Sequence, residues 1–101
     1  MRTKTEKPLM KESIIRKLDP KFYFYLSDGR PLKSLLELAD AIEEMDEDVF
    51  SHHVNQHRDD FAKWVSDIFR DEELAIKLGR SKSKQTHQII ILKHLVRRLS
   101  E

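Results

Sequence analysis

With 101 residues, 39% of them hydrophobic and 37% charged, the chain suits one domain with one core. The absence of cysteine excludes a disulfide framework and any cysteine zinc site, and two glycines are too few for a glycine-rich phosphate loop. The net charge of +1 conceals a segregation: residues 1–21 carry +4, 22–50 carry −6, 51–79 carry −2 and 80–101 carry +5, so basic ends flank an acidic middle.

The opening MRTKTEKPLMKESII has no apolar signal core, and no run approaches the roughly 18 apolar residues of a membrane span. The expectation is a cytoplasmic protein. The first element is a helix from about Lys7 to Leu18, with Pro8 in its first turn, Met10, Ile14 and Leu18 on one side, and Pro20 closing it. Phe22 to Leu26 alternates Phe22, Phe24 and Leu26 against Tyr23 and Tyr25, a strand-like pattern without an evident mate in the chain. It reads as an extended arm whose two Phe rings plug a helical core, the alternative being pairing with the same segment of a second copy. Ser27 to Pro31 is a turn, with Gly29 free to take positive φ.

Ser34 and Glu37 make a capping box, and Leu35, Leu38, Ala39, Ile42 and Met45 follow on one face while Glu37, Asp40, Glu43 and Glu44 take the other. Asp46, Glu47 and Asp48 then suit the positive start of the next helix. Phe50, Val54, His57, Phe61, Trp64, Val65 and Ile68 form one apolar stripe, within which Asn55 marks a break into a short helix and a longer one. Asp71 caps a further helix that stops at Gly79. After RSKSKQT the last helix runs to about Leu99, with Ile89, Leu92, Val96 and Leu99 on the predicted buried face, Leu95 at its edge, and Lys84, His87, His94 and Arg98 on a basic, mostly polar face. The fold class is therefore all-α: a single domain over 1–101, built as a compact bundle of five to six short helices, with residues 1–6 and 100–101 as frayed ends and one extended aromatic segment near Phe22–Leu26.

Three candidate sites follow. His53 and His57 are one helical turn apart and Asp60 is three residues further, a spacing able to hold a metal, although no His-Glu-x-x-His is present and a hydrogen-bonded core histidine is the commoner role. Asp59 and Asp60 point about 100° apart on a helix, so capping or solvation explains them better than an acid–base pair does. Lys84, Lys93, Arg97 and Arg98 could contact phosphates, yet the chain is nearly neutral and lacks a helix-turn-helix or zinc-finger signature.

Phe22 and Phe24, then Leu26, Asp28 and Gly29, then Leu35 and Leu38 open a longer pattern, completed by His53, Val54, Asp60, Phe61 and Trp64 and by Asp71, Leu74 and Ala75. It resembles a family of small uncharacterised archaeal and bacterial domains, a domain of unknown function with Phe-x-Phe, Leu-x-Asp-Gly and His-Val-x5-Asp-Phe-x2-Trp motifs. The resemblance implies a helical prokaryotic domain led in by an aromatic arm, and implies almost nothing about function. It singles out Asp28, His53 and Asp60 as polar motif residues. The chain departs from the family at Asp59, where Asn is usual, and His57 stands outside the pattern, which weakens the metal reading.

The expected function is a non-catalytic interaction or regulatory module without a cofactor, its partner another protein or a second copy. The alternatives are nucleic-acid binding through the basic ends and a metal-dependent enzyme centred on His53 and His57.

Overall fold

The computed structural model describes residues 16–101. Most of the helix expected from Lys7 lies outside these residues. Where its end is described, Arg16 to Asp19 are not helical, and Pro20 opens a 3₁₀ turn, Pro20–Phe22, instead of closing a helix. Asp19 caps that turn, its Oδ1 accepting the Lys21 amide at 3.2 Å.

The aromatic arm has its mate within the chain. Strand β1 (Phe24–Tyr25) pairs antiparallel with β2 (Pro31–Leu32), Phe24 opposite Leu32 and Tyr25 opposite Pro31. Proline is tolerated because each strand of a two-stranded ladder has a free edge, so a missing amide need not break the pairing. The turn between them is tied by Leu26 N–H to Arg30 O and by Gly29 N–H to Leu26 O, with Gly29 at φ 95°. Asp28 accepts the Arg30 amide at 3.0 Å, which makes this motif residue a turn-former.

Only one of the two Phe rings plugs the core. Phe24 lies 5.3 Å from the Phe61 ring, 5.7 Å from Trp64 and 5.1 Å from His53, whereas Phe22 is exposed beneath the Lys21 ammonium. Phe22 contributes its backbone instead: Trp64 Nε1–H donates to its carbonyl at 2.9 Å, anchoring the arm to the core.

Helix α1 (Leu35–Glu44) starts where the capping box places it. Ser34 Oγ accepts the Glu37 amide at 3.1 Å, and Glu37 reaches back to the amide of Lys33, one residue before the cap. A cap of this kind contributes about 1 kcal/mol. Its apolar face is buried and Asp40, Glu43 and Glu44 are exposed, as the periodicity requires.

Helix α2 (Glu47–His53) ends at a small hairpin, β3 (Val54–Asn55) paired with β4 (Arg58–Asp59). Asn55 makes the break by forming the turn, not by capping: its Oδ1 accepts the His57 amide and its Nδ2 donates to Ser51 O. The Arg58 guanidinium donates twice to His52 O, closing the carbonyl end of α2. Because the chain turns here, His57 leaves the apolar stripe and is exposed, which corrects its expected inward position.

Helix α3 (Asp60–Trp64) continues into a π-helical turn, Val65–Phe69, ending at Arg70 with φ 56°. Arg70 is the only described non-glycine residue with positive φ. Replacing it by glycine should therefore stabilise the fold by about 0.5–1 kcal/mol in urea unfolding. Helix α4 (Glu72–Gly79) follows, capped by Asp71, and α5 (Lys84–Leu99), capped by Ser83, lies against α1 and α4. The result is a mainly helical globule whose core gathers Leu32, Leu35, Leu38, Ile42, Phe50, Phe61, Leu74, Leu78 and Ile91.

The last helix is turned over relative to its periodicity. Its buried residues are His87, Ile91, His94 and Leu95, while Ile89, Leu92, Val96 and Leu99 are 53%, 42%, 64% and 43% exposed. The reason lies in the residues that α5 meets.

Candidate functional site

Three of the five histidines are paired with aspartates, and each pair ties together separate segments. His53, at the end of α2, has Nδ1 2.9 Å from Asp60 Oδ2, while its Nε2 accepts the Ser27 amide at 2.9 Å. The amide contact fixes the tautomer: Nδ1 carries the proton and donates it to the carboxylate. The motif residues His53 and Asp60 therefore do meet, and together they lock the β1–β2 turn to α2 and α3. Arg58 Nε stands 3.7 Å from the same carboxylate oxygen.

His87 is fully buried on α5. Its Nε2 is 2.8 Å from Asp59 Oδ2 and its Nδ1 is 3.2 Å from Ser83 O, so each nitrogen faces an oxygen and the ring satisfies both when both are protonated. One helical heptad later, His94 Nε2 lies 2.5 Å from Asp71 Oδ2. His94 Nδ1 has no hydrogen-bond partner among the described residues.

Both aspartates do two jobs. Asp59 Oδ1 accepts the Ala62 amide at 2.9 Å and caps α3, while Oδ2 faces His87. Asp71 Oδ1 accepts the Leu74 amide at 3.2 Å and caps α4, while Oδ2 faces His94. A cap carboxylate covered by another helix must find a partner for its second oxygen, because an unpaired buried charge is costly. The histidine face of α5 supplies those partners and its aliphatic face does not. This explains why the helix buries imidazoles and leaves four large aliphatic side chains outside.

Burial alone would oppose ionisation of Asp71. The His94 hydrogen bond, the Leu74 amide and the charges of His94 and Arg98 together prevail and hold its carboxyl below the usual carboxylate range.

The expected metal candidates separate. His53 has both ring nitrogens engaged, Asp60 is its partner, and His57 sits exposed in the β3–β4 turn. Among the described residues no three His, Asp or Glu side chains are grouped so as to hold a metal ion. The basic residues of α5 also divide. Arg98 turns inward to Asp71 and Glu73, at 4.0 and 3.7 Å, and bonds Glu101, while Lys84 borders a polar groove beside Glu43 and Glu47. Lys93 and Arg97 remain exposed, one turn apart, beside the aliphatic face.

That face forms an apolar strip on the surface of the described residues. A shallow groove of about 700 Å³ is lined by Lys77, Leu92, Lys93, Val96, Arg97 and Ser100. Sequence reasoning named these aliphatic residues but buried them, and it named His87 and His94 only as polar. The available signal was their seven-residue spacing with Ile91 between them, which places all three on one stripe.

Comparison with protein-family models, with curated proteins and with solved structures gives no match. No helix among the described residues is long and apolar enough to cross a membrane.

Proposed function

We propose that the chain is a non-catalytic interaction module that presents the outward face of α5 to another protein surface in the cytoplasm. The observation that carries this reading is the exposure of Ile89, Leu92, Val96 and Leu99 along one helix face. Isolated exposed aliphatics are ordinary, but a contiguous stripe at helical spacing is the signature of a surface that another element covers. The histidine–aspartate pairs add support from the opposite direction. Asp59 and Asp71 have both oxygens committed to a cap and a histidine, and His53 has both nitrogens committed, which accounts for these groups as clasps. The likeness to small prokaryotic domains is compatible with such a role and supplies no activity of its own.

The test compares the wild type with the Leu92→Glu, Val96→Glu variant in extracts of cells that make the protein, using native electrophoresis. Both positions are exposed, so circular dichroism should report the same fold for the two chains. The wild type is expected to migrate in an assembly larger than one chain, and the variant as a single chain. Identical migration of the two would reject the reading.

A further inference from the structure

We infer that the occupant of the α5 face is the same face of a second copy, the two helices running parallel about a two-fold axis along their length. This inference rests on the interaction-module reading and names its partner. Three observations support it.

The first is spacing. Ile89, Leu92, Val96 and Leu99 are separated by three, four and three residues, the a and d positions of about two heptads, with Gln85 extending the same stripe by one further d position. At 100° per residue the centre of this stripe lies roughly 135° around the helix from the centre of His87, Ile91, His94 and Leu95. A partner helix can therefore approach on the side of α5 away from the core formed by the described residues.

The second is composition. The a positions, Ile89 and Val96, are β-branched and the d positions, Leu92 and Leu99, are leucine, the arrangement that favours two parallel strands. The third is charge. Lys93 flanks one side of the seam and Gln88 the other. In a parallel pair each Lys93 neighbours the neutral Gln88 of the other copy, and the two Lys93 ammoniums stay on opposite sides of the seam. An antiparallel pair would set the two Lys93 ammoniums on the same side of the seam. A two-fold axis makes the patch self-complementary, so no second surface is required.

The purified full-length chain tests this by sedimentation over a wide concentration range. The wild type is expected to pass from monomer to dimer, and Val96→Glu to raise the dissociation constant by roughly a hundredfold or more, because two carboxylates would face each other in the seam. The chain has no cysteine, so Gln85→Cys provides a clean reporter of direction. Parallel pairing brings the two thiols together and gives a disulfide-linked dimer on mild oxidation. Antiparallel pairing centred on the seam leaves the two positions about 27 Å apart along the axis, too far to bridge.

A wild type that stays monomeric throughout overturns the inference. So does a dimer that Val96→Glu leaves intact, or one in which Gln85→Cys fails to link. A purified monomer that still joins a larger assembly in cell extract would reject the second copy alone. No assembly in either setting would reject the module reading as well.

Discussion

Replacing His87 by alanine is expected to destabilise the fold by about 3–5 kcal/mol, measured by urea unfolding at neutral pH. His87 has no exposed surface and its Nε2 is the partner of Asp59 Oδ2. Its loss leaves the Asp59 Oδ2 at the start of α3 without its imidazole partner, and it opens a void between α2 and α5 where the imidazole stands edge-on to Phe50 at 5.2 Å. For a domain whose whole stability is on the order of 5–15 kcal/mol, this is a large fraction. The origin of the effect can be separated from simple loss of volume. Asparagine at position 59 keeps an oxygen for the Ala62 cap but carries no charge, so Asp59→Asn should be tolerated better in the His87→Ala background than in the wild type. The double-mutant coupling is expected to be about 1–3 kcal/mol. A coupling near zero would mean that the pair has no energetic linkage.

Asp71→Ala is expected to rank beside it, at about 3–5 kcal/mol near pH 7, because one substitution removes the α4 cap and the buried carboxylate partner of His94 Nε2. Its pH dependence has a definite sign. The Asp71 carboxyl titrates below its ordinary value in the folded chain. Its ionisation therefore adds stability that is fully present above the unfolded-state value, about pH 4, and is lost as pH falls through the lower folded value. The stability difference between wild type and Asp71→Ala should stay level from pH 7 down to about 4 and then shrink in more acid solution. A difference that grows on acidification would contradict the assignment. Asp71→Asn, which retains a capping oxygen, should cost less than Asp71→Ala at neutral pH.

These two clasps explain which parts of the fold were legible in the sequence. Helix α1 was legible because its signals are local: Ser34, Glu37 and the Leu35, Leu38 and Ile42 periodicity all act within three turns. Asp71 was legible as a cap for the same reason, and the break at Asn55 was legible as a break, although Asp59 provides the cap. Orientation of α5 was not. Counting apolar residues favours Ile89, Leu92, Val96 and Leu99 for the interior, but the decision rests on Asp59 and Asp71, which are 28 and 23 residues from the histidines they hold. A periodicity measure scores imidazole as polar and has no means of recording that a cap carboxylate already awaits it. The mate of β1 was missed for a related reason, since Pro31 reads as an interrupter in a long ladder and is harmless in one of two residues.

The candidate site divides along the same line. His53 and Asp60 were legible as residues on one side of the chain, and they do meet, with Ser27 completing the contact from a turn 26 residues away. His57 was drawn into the stripe by extrapolating a helix through the β3–β4 turn. The apolar face of α5 was legible in every residue and wrong in its direction, and that reversal turns four presumed core residues into the surface on which the proposed function rests.

Histidine carbethoxylation read by peptide mass mapping shows most directly whether α5 faces inward with its histidines and outward with its aliphatic side chains. The chain's five histidines are His52, His53, His57, His87 and His94. The first and third are exposed and the other three are buried. The predicted result is rapid modification of His52 and His57, with His53, His87 and His94 protected until the chain unfolds, whether or not the aliphatic face is covered by a second copy. Rapid modification of His87 and His94 in the folded protein would place them on the outside, return Ile89, Leu92, Val96 and Leu99 to the core, and overturn this orientation of α5.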